Sequence, residues 1–191
     1  MPAGIAFSNG GATAFEALRL ASPDASGNAG LLVVYDAVKR VVSSTLPLKY
    51  GPTAFVMAPD ALTAYLLSSS GQITYYDVLS GTADLSASTY TPGFNNGYNG
   101  VSNVFIHPNG TTLFWNVGPY LESFDLTTRK VTAQTNSGLP TTSGISLQVS
   151  QDGSVATMAN GQGAIAFLDT KFGLVLTTQQ APGPTLAFPG N

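Results

Sequence analysis

Hydrophobic residues in this chain occur in short segments, mostly of about four to seven residues, that are rich in Val, Ile, Leu, Phe, Tyr and Thr. Clusters of Gly, Pro, Asn and Asp separate these segments, and each of those residue types favours turns. A helix needs ten or more residues with a period of 3.6, and only residues 11–20 come near that pattern. Because that segment recurs elsewhere as a strand, we predict a strand there too. The pattern therefore predicts an all-β protein.

The segments recur four times in a fixed order. Each repeat begins with an apolar strand that runs into a turn of Pro, Asn, Asp or Gly, and a second strand follows. A third strand then ends on an aromatic residue or Leu followed by Asp, and a β-branched stretch comes after it. The first strands with their turns are residues 5–11, 55–61, 104–110 and 147–153.

The aspartates at the ends of the third strands give the length of the repeat. They are Asp36, Asp77, Asp125 and Asp169, separated by 41, 48 and 44 residues. Four strands at this spacing are typical of a β-propeller blade, and blades must stack around an axis because one blade cannot cover both of its own faces. We predict one domain over residues 1–191, a β-propeller of about four four-stranded antiparallel blades. The repeats cover about 3–51, 52–100, 101–144 and 145–183.

Residues 184–191 resemble the beginning of a further repeat, because Pro184-Thr185-Leu186-Ala187-Phe188 is similar to Pro52-Thr53-Ala54-Phe55-Val56. Two hypotheses follow. In the first, the chain is part of a larger ring, either a fragment or a half that a second copy completes. In the second, four blades close on themselves and the tail is displaced or pairs at an edge, where unpaired strands favour association.

The order of strands and turns resembles the YVTN-type β-propeller repeats of bacterial and archaeal surface proteins and of lactonase-like propellers. The turn Pro108-Asn109-Gly110 and the segment Asp125-Leu126-Thr127-Thr128 match that family well, and the likeness runs from Ala3 nearly to the end of the chain. The second strands lack the Tyr-Val-Thr-Asn sequence, of which Asn116 and Asn160 are the nearest remnants. The resemblance implies a surface protein, and some relatives are enzymes.

Charged residues are scarce, since 7 Lys and Arg and 10 Asp and Glu make up 9% of the chain, against about 25% in an ordinary domain. So few scattered cations argue against nucleic acid and against an anionic membrane surface. There is no cysteine, and no apolar run reaches the roughly 20 residues that span a bilayer. A composition low in Lys and Glu and rich in Ser, Thr and Asn favours an extracellular or cell-surface location, with any signal peptide outside this chain.

The titratable residues point to turns rather than to catalysis. We expect the four periodic aspartates to accept backbone N–H bonds in the turns that follow them, as Asp does in Asx-turns. Asp60 and Asp152 occupy first-turn positions, which leaves Glu16, Asp24, Asp84 and Glu122 for other roles.

His107 is the only histidine, and no Gly-x-Ser-x-Gly segment or spaced acid accompanies it. We therefore expect no catalytic residues, no metal site and no cofactor.

The segment between the second and third repeats is the most suggestive of a ligand site. Aromatic rings on a loop rich in Gly and Asn can stack on a sugar, while the amides hydrogen-bond its hydroxyls. The alternative, which we favour, is that the rings cover the junction between blades. The candidate ligand residues are Tyr90, Phe94, Asn95, Asn96, Tyr98 and Asn99.

The sequence favours a non-catalytic extracellular β-propeller that serves as a scaffold or binding module for proteins or glycans. One alternative is a self-assembling subunit of a surface layer or filament, whose partners are further copies of itself. Another is a lactonase-like hydrolase or a fragment of a propeller oxidoreductase. A single histidine, no cysteine and few unassigned acids argue against the enzyme.

Overall fold

A computed structural model describes residues 1–84, 101–140 and 145–180 of the chain. The prediction of an all-β fold is confirmed, because sixteen strands form four separate four-stranded antiparallel sheets. Within the described residues there is no α-helix, and the helical turn Asn9–Gly11 is a single 3-10 turn. Residues 13–19 of the segment with the most helix-like pattern form a strand, as predicted.

Each sheet is one blade, and its strands lie in chain order. Blade 1 contains β1 Pro2–Phe7, β2 Thr13–Arg19, β3 Gly30–Asp36 and β4 Val41–Leu48. Blade 2 contains β5 Pro52–Met57, β6 Thr63–Ser68, β7 Ile73–Asp77 and β8 Thr82–Asp84. Blade 3 contains β9 Ser102–Ile106, β10 Thr112–Val117, β11 Tyr120–Asp125 and β12 Lys130–Asn136. Blade 4 contains β13 Ile145–Val149, β14 Val155–Asn160, β15 Ala164–Asp169 and β16 Leu174–Gln180.

The blades follow one another around an axis. The first strand of each blade contacts the first strand of the next, so that β1 lies beside β5, β5 beside β9, and β9 beside β13. This is the radial arrangement of a β-propeller, in which the first strands are innermost. Residue equivalence between blades follows from the register, since Thr13, Thr63 and Thr112 each pair with the aspartate that ends the third strand.

Every blade has two faces because successive side chains of a strand point to opposite sides of the sheet. We call the face that is turned toward the preceding blade the backward face, and the opposite one the forward face. Three apolar clusters join forward faces to backward faces, and each fills the space between two consecutive blades. Large side chains in these clusters are Phe15 between blades 1 and 2, Trp115 between blades 2 and 3, and Met158 between blades 3 and 4.

The first turns of the blades share one left-handed position, at Gly11, Ala61, Gly110 and Gly153. At each of these residues the backbone N–H donates to the carbonyl three residues earlier, which closes the turn. Glycine adopts positive φ at no steric cost, and this explains why three of the four are glycine. The turn after the third strand has its own left-handed position four residues past the aspartate, at Arg40, Gly81, Arg129 and Gly173.

Two faces have no neighbouring blade among the described residues. None of the three clusters joins blade 4 to blade 1. On the backward face of blade 1, Ile5 and Phe7 are 62% and 57% exposed. The equivalent residues of blade 2, Phe55 and Met57, are half-buried against blade 1. Among the described residues the four blades therefore form an arc, and no blade packs on the apolar backward face of its first blade.

Candidate functional site

A cleft of about 440 Å³ opens between blades 3 and 4, at the end of the molecule where the first turns lie. It is formed by the first turns of both blades, the third turn of blade 4 and the outer strands of blade 3. Most of its side chains are polar. They belong to His107, Asn109, Thr112, Phe114, Ser123, Thr132, Ala133, Asp152, Ser154, Thr170 and Lys171.

The carboxylate of Asp152 organises the turn of blade 4 on one side of this cleft. Its Oδ1 atom accepts hydrogen bonds from Ser150 Oγ at 2.6 Å, from Ser154 N at 3.1 Å and from Ser154 Oγ at 2.8 Å. These bonds, led by the one from the Ser150 hydroxyl, lower the pKa of Asp152 to about 2 because they stabilise the charged form. The carboxylate is therefore ionised at neutral pH and committed to the turn.

The imidazole of His107 lines the cleft from blade 3. Its Nδ1 atom accepts the backbone N–H of Asn109 at 3.1 Å, so the neutral ring carries its proton on Nε2. The ring packs over Gly153, where an added Cβ would overlap Nε2 and Cδ2. It also lies beside Phe114, with ring centroids 6.2 Å apart. His107 thus couples the first turn of blade 3 to that of blade 4, with the Nε2 edge of its ring against Gly153.

A Ser–His–Asp triad has a different pattern of bonds from the one in this cleft. In a triad the carboxylate accepts from one imidazole nitrogen, and the other imidazole nitrogen accepts from the serine. Here the Asp152 carboxylate accepts from Ser154 itself. The His107 Nδ1 atom that a triad carboxylate would engage is occupied by a backbone N–H.

Other hydroxyl groups of the cleft close onto the backbone. The Thr170 hydroxyl donates to the carbonyl of Gly153, and Thr132 Oγ1 donates to the carbonyl of Ser123 at 3.3 Å. The Lys171 ammonium lies 5.2 Å from the centroid of the Phe172 ring and forms no ion pair within the described residues. Hydrogen bonds therefore hold the turns of the cleft, and Lys171 is its exposed cation.

A second opening, of about 420 Å³, lies where the first strands of blades 1, 2 and 3 meet. Each of these strands has a β-bulge, which leaves Ala3, Thr53 and Asn103 without a cross-strand partner. All three bulged residues line the opening, although the bulge of blade 3 lies one position closer to the first turn than the bulges of blades 1 and 2. Asn103 has φ of 50°, and its Nδ2 donates to Asn116 Oδ1 at 3.2 Å and to the Ile145 carbonyl at 3.0 Å. It thereby fastens blade 3 to blade 4 near the axis.

The four periodic aspartates each accept backbone N–H bonds in the turn that follows the third strand. Asp36 accepts from Val38 and Lys39, and Asp169 from Lys171 and Phe172. In the same way, the backbone N–H of Ser80 donates to Asp77 at 2.7 Å, and that of Thr128 donates to Asp125 at 2.6 Å.

These backbone hydrogen bonds are the largest cause of the lowered pKa values of Asp36, Asp77 and Asp125. Each carboxylate serves its own blade, and the described residues contain no group of three or more His, Cys, Asp or Glu side chains that could hold a metal ion.

The four acids that the sequence left unassigned all have partners. Asp24 accepts from Ser26 and Asn28 in the loop between β2 and β3, and its pKa is lowered, chiefly by the Asn28 side chain. Asp84 pairs with Arg129 across blades 2 and 3 at 3.1 Å.

The two glutamates are bonded within their own blades. Glu16 accepts from the Tyr35 hydroxyl at 3.0 Å. Glu122 is fully buried and accepts from Trp115 Nε1 at 2.8 Å and from Gln134 Nε2 at 2.7 Å.

The candidate ligand residues of the aromatic segment, Tyr90, Phe94, Asn95, Asn96, Tyr98 and Asn99, lie outside the described residues. Sequence reasoning did not find the cleft between blades 3 and 4. The equivalence of the first turns was a usable signal, because neighbouring blades place equivalent turns side by side. It would have brought His107 next to the turn that contains Asp152. No helix in the described part of the chain has the length and hydropathy to cross a membrane.

Comparisons with known proteins support the fold. No protein-family model matches the chain, and no curated protein matches it. Among solved structures, Kuenenia stuttgartiensis hydrazine synthase superimposes with a TM-score of 0.70 at 17% sequence identity. The match covers 93% of this chain and 48% of that one, so the chain spans about half the length of its structural neighbour. At this level of identity the likeness concerns the fold alone, and that fold is the β-propeller.

Proposed function

We propose that the chain is a non-catalytic β-propeller binding module of the YVTN type and that it binds glycans in the cleft between blades 3 and 4. The observation that carries this proposal is the bonding in that cleft. Its carboxylate is committed to Ser150 and Ser154, while His107, Thr112 and Lys171 also line the open space.

The chemistry of these groups suits a sugar better than an apolar ligand. Sugar hydroxyls both donate and accept hydrogen bonds, and serine and threonine hydroxyls do the same. A site with few charges keeps the desolvation cost of binding low. An extracellular or cell-surface location, which the scarcity of charge favours, would bring the module to glycans.

A glycan array tests the proposal. We expect the 191-residue chain to bind a subset of glycans and the variant Thr112→Val/Lys171→Ala to lose about tenfold or more in affinity, because several hydrogen bonds are removed. Thr63→Val is the matched control, since Thr63 is equivalent to Thr112 and lines the smaller cleft between blades 2 and 3. Binding of no glycan by the parent chain, or equal binding by the cleft variant, would contradict the proposal.

A hydrolase is the second candidate because His107, Asp152 and Ser154 border one cleft. A panel of lactones and esters distinguishes it from a binding module. We expect no turnover above the uncatalysed rate. Turnover that His107→Ala abolishes, while Thr63→Val leaves it intact, would replace the binding proposal with an enzymatic one.

A further inference from the structure

The backward face of blade 1 is built like the covered backward faces of the other blades. At equivalent positions of the second and third strands, blade 1 has Ala14 and Tyr35 where blade 3 has Leu113 and Phe124. On the first strand, Ile5 and Phe7 stand where blade 2 has Phe55 and Met57. Leu18, Leu31 and Val33 complete an apolar surface on this side of the sheet. Ala14 and Val33 are each only 7% exposed, so the exposed part of this apolar surface lies mainly at Ile5 and Phe7. Exposed apolar surface marks interaction sites.

The forward face of blade 4 is the other face without a neighbour. Its second and third strands present Thr157, Ala159, Ile165 and Phe167 on the side opposite the cluster with blade 3. All four are half-buried. The covered forward face of blade 3 has the same mixture of small polar and apolar residues, namely Phe114, Asn116, Leu121 and Ser123.

The two uncovered faces carry few charged side chains, so electrostatic repulsion does not prevent them from packing together. Glu16 is the one charged residue at the described strand positions on the backward face of blade 1. Its carboxylate accepts a hydrogen bond from the Tyr35 hydroxyl. On blade 4, Asp169 stands at the end of β15 and is held by its turn. Neither face brings two cations together, and like charges that would repel are absent from the middle of both described faces.

We propose that a second copy of this chain covers both faces. Blade 1 of each copy packs on blade 4 of the other, and the two arcs close one ring of eight blades. Each new contact joins a forward face to a backward face, as the three contacts within the chain do. A head-to-tail contact of this kind forms a closed ring when the rotation closes, and eight blades lie within the usual range for propellers.

The stretches of this sequence outside the described residues are too short to be the blade that covers these faces. The longest stretch outside the described residues is 85–100, whereas the shortest four-stranded blade runs over residues 52–84. No such stretch of this chain is long enough to supply a fifth four-stranded blade. One molecule also carries both kinds of uncovered face, a forward face and a backward face. A second copy of the same chain therefore offers the matching face to each of them.

Light scattering during size-exclusion chromatography measures the mass. We expect the chain of 19.7 kDa to elute with twice that mass over a range of concentrations. Ile5→Asp/Phe7→Asp places two charges on the open face and should give the single-copy mass. The fold of that variant should persist because both side chains are exposed in one copy. Val38→Asp is the control, since Val38 is 77% exposed in a turn and should leave the two-copy mass unchanged.

Mixing experiments test which faces meet. Phe167→Asp damages the blade 4 side, and alone it should also give the single-copy mass. A mixture of Phe167→Asp with Ile5→Asp/Phe7→Asp retains one undamaged contact and should regain the two-copy mass at higher concentration. A mixture that stays at the single-copy mass would overturn the pairing of blade 1 with blade 4. A parent chain that is a single copy at every concentration would overturn the proposal, and masses that grow without limit would overturn the closed ring.

Discussion

The backward faces of blades 3 and 1 have the same strand pairing but different surroundings. In blade 3, Trp115 pairs across the sheet with Glu122, and both are buried against blade 2. In blade 1 the same two positions hold Glu16, which is half-buried, and Val33, which is 7% exposed, on a face with no neighbouring blade among the described residues. Both sheets are complete, so sheet pairing does not require the neighbour. The neighbouring blade instead determines how far the carboxylate on each face is exposed to water.

The two carboxylates illustrate this difference. Glu122 is removed from water and has two donors, the indole N–H of Trp115 and the amide of Gln134. Glu16 is half-buried and has one donor, the Tyr35 hydroxyl. A buried carboxylate without partners is costly, whereas an exposed one is solvated by water. Burial against blade 2 therefore makes the loss of a hydrogen bond at Glu122 more costly than at Glu16.

The largest difference between these faces should come from their equivalent aromatic residues. Phe124→Ala empties a fully buried position and should lower the free energy of unfolding by about 3–5 kcal/mol. Tyr35→Ala, at the equivalent position on the open face, should cost about 1 kcal/mol or less in a single copy. Urea denaturation at a concentration where the chain is a single copy measures both. Equal losses would show that the backward face of blade 1 is covered even in one copy.

Substitution of the two glutamates should give a smaller difference in the free energy of unfolding. Glu122→Gln keeps the size but offers one acceptor oxygen where two donors converge, so an amide N–H faces a donor. We expect a loss of about 1–3 kcal/mol. Glu16→Gln can still accept from Tyr35 and should stay within about 0.5 kcal/mol of the parent. The same denaturation experiment compares them, and a large loss for Glu16→Gln would mean that its carboxylate is needed in a buried contact.

The smallest difference in stability should come from alanine substitutions of two equivalent glycines in first turns. Gly11 and Gly153 both have positive φ, so alanine is strained at either one, by roughly 1–2 kcal/mol. At Gly11 nothing lies within 4 Å of the added Cβ, whereas at Gly153 the Cβ meets His107 and Pro108. Gly153→Ala should therefore be less stable than Gly11→Ala by about 1 kcal/mol. Thermal unfolding measures the pair, and equal melting temperatures would contradict the tight packing of His107 on that turn.

The sequence predicted the strands and their grouping because both depend on local patterns. Short apolar segments, turn residues and the aspartates at the third-strand ends recur with the blade, and the structure places Asp36, Asp77, Asp125 and Asp169 at those strand ends. The segment 11–20 was predicted as a strand only because the repeat outweighed its helix-like spacing.

The cleft and the buried carboxylate depend on contacts between blades, which local patterns do not contain. Ser154 and Lys171 look like ordinary turn residues until blade 4 is placed beside blade 3. Glu122 looks like one exposed acid among four, because nothing near it in sequence indicates that Gln134 and Trp115 will converge on it. The β-bulges were not predicted either, since one extra residue in a strand leaves the apolar pattern almost unchanged.

Those bulges have a consequence for how the molecule can vary. Ala3 and Thr53 differ in size and polarity although they occupy one equivalent site in blades 1 and 2, and Asn103 is bulged one position nearer the first turn in blade 3. Because a bulged residue has no cross-strand partner, its replacement does not shift the register of the strand. Natural variation can therefore alter the lining of the axial opening one blade at a time while the packed interfaces stay the same. Asn103 is the most constrained of the three, because its amide also fastens blade 3 to blade 4.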